Sequence, residues 1–106
     1  MSLLNPPEVI ALEGEIDLHV SPEVAASLAK VIDQQPSRLI VSLRKVNYID
    51  SSGLAVLIAA ANNVETYGGQ LMLTGVQQDV RTILENAHLI DFFSVFPHVD
   101  AALAAT

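Results

Sequence analysis

The chain contains no cysteine, and only five of its 106 residues are lysine or arginine, against twelve acidic ones. Without cysteine, neither a disulfide framework nor a thiolate nucleophile nor a thiolate metal site is available, which fits a reducing compartment. The net charge of −7 disfavours nucleic acid and anionic membranes as partners, because binding either one needs a basic surface. An acidic chain of this kind suits a protein partner with a basic docking face.

Long apolar runs are absent as well. The longest, Leu54–Ala61, is far too short to span a bilayer, and Met1–Pro7 lacks the basic region before an apolar run that marks a secretory signal. We therefore expect a cytoplasmic protein. The length of 106 residues, about half of them apolar, predicts a single domain over residues 1–106 with one core.

Apolar runs and helically spaced apolar residues alternate along the chain. Strands are predicted at Val9–Leu18 with a bend at Gly14, and at Leu39–Ile49, Gln70–Thr74 and Phe92–Phe96. Helices are predicted from Ser21, over about Ser52–Tyr67, around Val80–Ala87 and over Pro97–Ala105. Ser21 is the expected cap of the first helix, with Pro22 as its first residue.

This alternation predicts an α/β fold, in which a mixed, mostly parallel sheet of four to five strands packs against helices. The segment Val9–Leu18 is a candidate antiparallel edge of that sheet. Ligands and partners of such sheets favour the carboxyl ends of the strands. We expect three loops to gather there: Asp17–Val20, Asp50–Gly53 and Gly75–Gln78.

The segment Asp50-Ser51-Ser52-Gly53 lies where a strand meets the start of a helix. Free backbone N–H groups and the helix dipole favour an anion at such a place, so a phosphoserine would be accommodated. Gly53 would let another backbone approach closely. Aspartate and serine are also ordinary capping residues, and on spacing alone plain capping is the commoner explanation.

The residues around this segment resemble a known family. Tyr48-Ile49-Asp50-Ser51-Ser52-Gly53-Leu54 is similar to the signature of anti-sigma-factor antagonists, a branch of the STAS family. Glu13-Gly14-Glu15-Ile16-Asp17 resembles the first-strand element of that family, and Gly68-Gly69-Gln70-Leu71 resembles the turn after its second helix. The resemblance extends from about Val9 to Leu103 and implies a single STAS domain.

The resemblance also implies a function. Ser51 matches the phosphoacceptor, Asp50 its acidic neighbour, and Asp17 an acidic loop position near the site. With Ser52 and Gly53, these residues form the expected partner-binding set. The unmodified antagonist binds an anti-sigma factor that is a serine kinase using ATP and magnesium, and thereby frees a sigma factor. Phosphorylation ends the complex and a metal-dependent serine phosphatase restores it, so the domain itself is expected to be no enzyme and to hold no cofactor.

Two other functions remain open. The chain could be a STAS subunit of a lipid-transport or stress-signalling complex without a phospho-switch, in which the same surface holds a permanent partner. It could also sense a small molecule or nucleotide, although the sequence shows no convergent polar pocket. A change of Ser51 to aspartate separates the first alternative from a regulated antagonist, since a permanent subunit keeps its partner.

Several single residues have ordinary explanations. Ser52 is a candidate second acceptor but more often such a serine caps the first turn. His19 is expected to be an exposed loop histidine. His88 and His98 flank Asp91, but their spacing matches no usual metal-ligand pattern. No Gly-x-Ser-x-Gly elbow and no Gly-rich loop ending in Lys and Ser/Thr is present, so neither a hydrolase triad nor a nucleotide-hydrolysing loop is supported.

Overall fold

A computed structural model describes residues 4–105. Strands and helices alternate along them, as the sequence pattern predicts. The strands are β1 (Glu8–Ile16), β2 (Arg38–Ile49), β3 (Gln70–Thr74) and β4 (Ser94–Phe96). The helices are α1 (Ser21–Ile32), α2 (Ser51–Thr66), α3 (Gln78–Asn86) and α4 (Val99–Ala104).

The strands form one sheet in the order β1-β2-β3-β4, and every neighbouring pair is parallel. The α/β class and the four strands confirm the prediction, but an antiparallel edge at Val9–Leu18 is wrong. The bend at Gly14, where φ is 79°, is absorbed as a register shift within a single strand, β1. Because α1 then carries the chain back along the sheet, β2 runs in the same direction as β1.

The two faces of the sheet are covered unequally. Side chains alternate between the faces along each strand. On one face, Leu39, Val41 and Leu43 of β2 are completely buried in a core that α1, α2 and α3 share. On the other face, Ile40 and Met72 pack against the short helix α4. One face is therefore closed by three helices and the other by only one.

The start of α1 differs from its prediction. Ser21 is the first residue of the helix rather than its cap, and it is buried. Instead, the Asp17 carboxylate accepts hydrogen bonds from the backbone N–H groups of His19, at 2.9 Å, and Val20, at 3.3 Å. Asp17 thus shapes the loop that leads into α1, while Pro22 lies in the first turn as predicted.

The other helix ends follow simple local rules. Gly68, with φ at 90°, ends α2 as predicted, because glycine adopts this conformation without strain. The last helix begins two residues later than Pro97, since the Nδ1 atom of His98 accepts the Ala101 N–H at 3.1 Å and caps it. The last strand is shorter than predicted: Phe92 and Phe93 stack edge to face in the turn before it, and Phe93 is buried.

Candidate functional site

The first two strands bring two acidic loops together. Ile16 and Ile49 are register partners at the ends of β1 and β2, and both are buried. The next residues, Asp17 and Asp50, therefore leave the sheet side by side, and the Asp50 N–H donates to the Ile16 carbonyl at 3.1 Å. We call the surface formed by Asp17, Leu18, Asp50, Ser51 and Ser52 the Ser51 corner.

The third predicted loop does not reach this corner. Thr74, the last residue of β3, pairs with Ser42, whereas β2 continues to Ile49, seven residues further (49 − 42). At about 3.3 Å per residue, this places the end of β3 roughly 20 Å short of the corner. The loop after β3 instead lies along the middle of β2, where Gln77 donates to the Arg44 carbonyl at 2.7 Å. The expectation that Gly75–Gln78 joins the other two loops is wrong.

Asp50 is the N-cap of α2. Its Oδ1 atom accepts from the Ser52 N–H at 2.9 Å, the Ser52 hydroxyl at 2.5 Å and the Gly53 N–H at 3.1 Å. The Leu18 backbone N–H lies close enough to this carboxylate to help lower its pKa, which places the two loops next to each other. The Ser52 hydroxyl, followed by the backbone donors, lowers the pKa of Asp50, and partial desolvation opposes that shift. The carboxylate is consequently held in its ionised form.

This cap changes the expected anion site. The first-turn N–H groups of Ser52 and Gly53 do not point into solvent, because the Asp50 carboxylate already occupies them. A further anion beside them would meet a negative charge. The capping explanation of the Asp50 side chain is confirmed.

The two serines differ in what they offer. Ser52 is partly buried, and its hydroxyl is committed to Asp50. Ser51 is exposed at the first position of α2, and its hydroxyl bonds to no described residue. Of the two hydroxyls, only that of Ser51 is therefore presented to an incoming partner.

Gly53 allows close packing beneath the Ser51 corner. It is buried, and a Cβ atom at this position would lie 2.8 Å from Ile16 Cγ2, 3.0 Å from the Ile16 carbonyl and 3.2 Å from Ile49 Cγ1. The close approach that the sequence predicts is thus made by β1 of the same chain. Glycine here lets α2 start directly against the paired strand ends.

Two exposed apolar residues, one in the corner and one next to it, are not among the site residues that the sequence predicts. Leu18 is 71% exposed in the loop after β1, and Tyr48 is 46% exposed near the end of β2. Leu18 belongs to the corner because it directly follows Asp17 and its backbone N–H lies close enough to Asp50 to help lower the pKa of that carboxyl. Only its position directly after a strand, next to Asp17, signals a surface role in the sequence. These two side chains add exposed apolar surface to an otherwise polar site, and a protein partner can cover that surface.

Neither a metal-binding cluster nor a membrane-spanning helix is found among residues 4–105. No group of three or more histidine, aspartate or glutamate side chains there is arranged to hold a metal ion. No helix in that range combines the length and apolarity needed to cross a bilayer. His19 and His88 are exposed, and His98 caps α4.

The fold and the corner define a small α/β domain that presents polar loops at the ends of two strands, and comparisons place it among known proteins. The STAS domain family model matches residues 5–102, so the chain belongs to the STAS family. The chain is similar to the anti-sigma F factor antagonist of Paenibacillus polymyxa, with 26% identity over 96 residues, 90% of this chain and 82% of that protein.

Solved structures include both a regulator and a transporter relative. An anti-sigma factor antagonist from Mycobacterium paratuberculosis matches with a TM-score of 0.83 and 25% identity, over 92% of this chain and 82% of that one. A sulfate transporter family protein from Wolinella succinogenes matches with a TM-score of 0.80 and 28% identity, over 95% and 86% of the two chains. The same fold therefore occurs in proteins of different function.

Proposed function

We propose that this STAS domain is an anti-sigma factor antagonist that binds an anti-sigma factor serine kinase and so releases a sigma factor. Phosphorylation of Ser51 by that kinase ends the complex, and a serine phosphatase restores it. The observation that carries the proposal is the exposed Ser51 hydroxyl, unbonded at the start of α2 beside a carboxylate whose pKa is lowered. The Paenibacillus polymyxa and Mycobacterium paratuberculosis relatives, both antagonists by name, support it.

The electrostatics of the corner explain how a phosphate would act. A phosphoserine carries a charge of about −1.5 to −2 at neutral pH. At Ser51 it would stand beside the ionised Asp50, on a chain whose net charge is already −7. Because Asp50 already occupies the Ser52 and Gly53 N–H groups, the phosphate cannot take these two donors without displacing that carboxylate.

The partner would have to bury that charge. An uncompensated buried charge costs about 3–5 kcal/mol, which corresponds to a loss of roughly a hundredfold or more in affinity. The Asp50 cap keeps its geometry throughout, so no large rearrangement is required. Leu18 and Tyr48 would supply the apolar contact of the unmodified complex.

The test is direct binding and phosphorylation with the purified anti-sigma factor kinase encoded in the same host. Calorimetry compares the unmodified domain with Ser51→Ala, Ser51→Asp and the matched Ser52→Ala. We expect Ser51→Ala and Ser52→Ala to bind, Ser51→Asp to lose at least about a hundredfold in affinity, and ATP with magnesium to place one phosphate on Ser51. Equal affinity of Ser51→Asp and the unmodified domain would overturn the proposal.

The likeness to the Wolinella succinogenes protein favours one second candidate, a STAS subunit of a larger complex without a phospho-switch. In that case the Ser51 corner holds a permanent partner. Affinity purification from the host then recovers the same proteins with unmodified, Ser51→Ala and Ser51→Asp domains, and the kinase leaves Ser51 unmodified.

A further inference from the structure

The face of the sheet that α4 covers is only half closed. Val9, Ile40 and Met72 form one row across β1, β2 and β3, and Ala11, Ser42 and Thr74 form the next. Ile40 and Met72 are buried under α4, but Val9 is 46% exposed and Ala11 is exposed as well. The uncovered half is a cavity of about 480 Å³. We call it the open-face cleft; its polar wall is formed by Ser42, Arg44, Lys45, Thr74 and His98.

The floor of the open-face cleft contains an unused hydroxyl. Thr74 is 1% exposed, and its Oγ1 atom has no hydrogen-bond partner in the described part of the chain. Its row neighbour Ser42 is partly buried, and the Ser42 hydroxyl bonds to no described residue either. Buried polar groups in proteins are nearly always paired. The buried, unpaired Thr74 hydroxyl on the cavity wall is what a ligand-binding surface leaves unsatisfied when it is empty, and the Ser42 hydroxyl lies beside it in the same row.

The rim of the open-face cleft is rich in donors. Arg44 and Lys45 are two of only five basic residues in the chain, and neither forms an ion pair with any residue from 4 to 105. The Nδ1 atom of His98 accepts the Ala101 N–H, so Nε2 carries the ring proton, and this N–H donor bonds to no residue from 4 to 105. Two carboxylates, Glu13 and Asp100, also line the rim; both are exposed, and neither forms an ion pair with a described residue.

The geometry points to a binding site for a small organic anion, in which one carboxylate or phosphate group is attached to a compact apolar body. The anionic group would meet Arg44, Lys45 and the hydroxyls of Ser42 and Thr74, and the apolar body would lie on Val9 and Ala11. A cavity of this size, mostly apolar with a few convergent polar groups, is typical of small-molecule sites. Glu13 and Asp100 would exclude anions that carry several charged groups.

This site is independent of the proposed regulatory function. It lies on the face of the sheet opposite α2, beside the end of β3, whereas the Ser51 corner lies at the ends of β1 and β2. A ligand there would bind whether or not Ser51 is modified. Failure of one proposal consequently leaves the other intact.

The test is a titration followed by amide chemical shifts in a ¹H–¹⁵N correlation spectrum. The probes are hexanoate and hexyl phosphate, which separate the two anionic groups, and hexanol is the neutral control. We expect one or both anions to give saturable shifts at Ser42, Thr74 and Gly75 below about 10 mM, with the amides of residues 51–53 unmoved. Hexanol should bind at least about tenfold more weakly, since charged hydrogen bonds contribute that much.

Variants make the test specific. Arg44→Gln and Lys45→Gln change exposed side chains, and each should weaken the anion about tenfold. Lys30→Gln, an equally exposed change on α1, is the matched control and should leave binding unchanged. The proposal is overturned if neither anion saturates, if hexanol binds as tightly as the anions, if the shifts cluster at the Ser51 corner, or if Lys30→Gln weakens binding as much as Arg44→Gln.

Discussion

The Ser51 corner and the open-face cleft use their polar groups in opposite ways. At the corner, the Asp50 carboxylate accepts hydrogen bonds from two backbone N–H groups and from the Ser52 hydroxyl, and the Ser51 hydroxyl bonds to no residue in the described part of the chain. In the cleft, the hydroxyls of Ser42 and Thr74 and two cationic side chains have no partner among the described residues. The hydrogen bonds of the corner thus stabilise the fold, whereas the unpaired polar groups of the cleft contribute little to its stability. Substitutions at the corner should therefore lower the stability of the folded protein more than substitutions of polar groups in the cleft.

The largest loss of stability is expected for Gly53→Val, which places a side chain between α2 and the ends of β1 and β2. The new side chain would clash with Ile16 and Ile49, because even a Cβ atom comes within 2.8 Å of Ile16 Cγ2. We expect the free energy of unfolding to fall by about 2–3 kcal/mol in urea denaturation. Ala55→Val, an exposed change in the same helix, is the control and should cost less than about 0.7 kcal/mol. Similar values for both variants would contradict the packing argument.

Asp50→Ala should have the next largest effect. It removes the N-cap of α2 and its hydrogen bonds from the Ser52 and Gly53 N–H groups in one step. We expect the thermal midpoint to fall by roughly 5 °C, measured by circular dichroism. Asp33→Ala removes an exposed carboxylate of the same charge that makes no side-chain hydrogen bond to a described residue, and it should leave the midpoint nearly unchanged.

The pH dependence gives a smaller but more specific signal. Folding lowers the pKa of Asp50, so the ionised carboxylate stabilises the folded state above the unfolded pKa of about 3.9. That contribution is lost as the pH falls below this value and through the lower folded pKa. We expect the unmodified domain to lose its stability advantage over Asp50→Asn in this acid range and to keep it unchanged between pH 5 and pH 7. An advantage independent of pH would show that the charge plays no part.

The smallest effects come from deleting one hydroxyl in each region, and they sharpen the comparison most. Ser52→Ala removes a hydroxyl bonded to Asp50 and should lower the thermal midpoint by about 3 °C. Thr74→Val removes an unpaired hydroxyl of similar shape and should leave the free energy of unfolding unchanged or raise it by up to about 1 kcal/mol. A clear loss of stability in Thr74→Val would mean that its hydroxyl is satisfied in the folded protein.

Features that depend on neighbouring residues could be predicted from the sequence. The apolar spacing of Leu54, Leu57 and Val64 defines α2, and Gly68 ends it, because helix geometry and termination are local. Capping by an aspartate or a serine at the start of this helix is predicted for the same reason, and the structure shows that Asp50 is the cap. The residue pattern Tyr48–Leu54 indicated the STAS family, which the match over residues 5–102 confirms.

Features that depend on register could not be predicted in this way. That β3 stops opposite Ser42, and so keeps its loop away from the corner, is decided by strand pairing. The open-face cleft draws its walls from β1, β2, β3 and the turn before α4, and no short sequence window contains them. Its signal in the sequence is only compositional, since Ser42, Arg44 and Thr74 are polar residues that follow apolar runs within β2 and β3.

The unequal length of the strands also determines the size of the molecule that can bind at the Ser51 corner and in the open-face cleft. The first two strands run on past the ends of the other two, so the junction of β2 and α2 protrudes beyond the rest of the sheet. A macromolecule can therefore meet this junction beyond the last residues of β3 and β4. The recess beside Thr74 is walled by the sheet and by the turn before α4, and admits only compact solutes. Both can consequently be occupied at the same time without steric conflict.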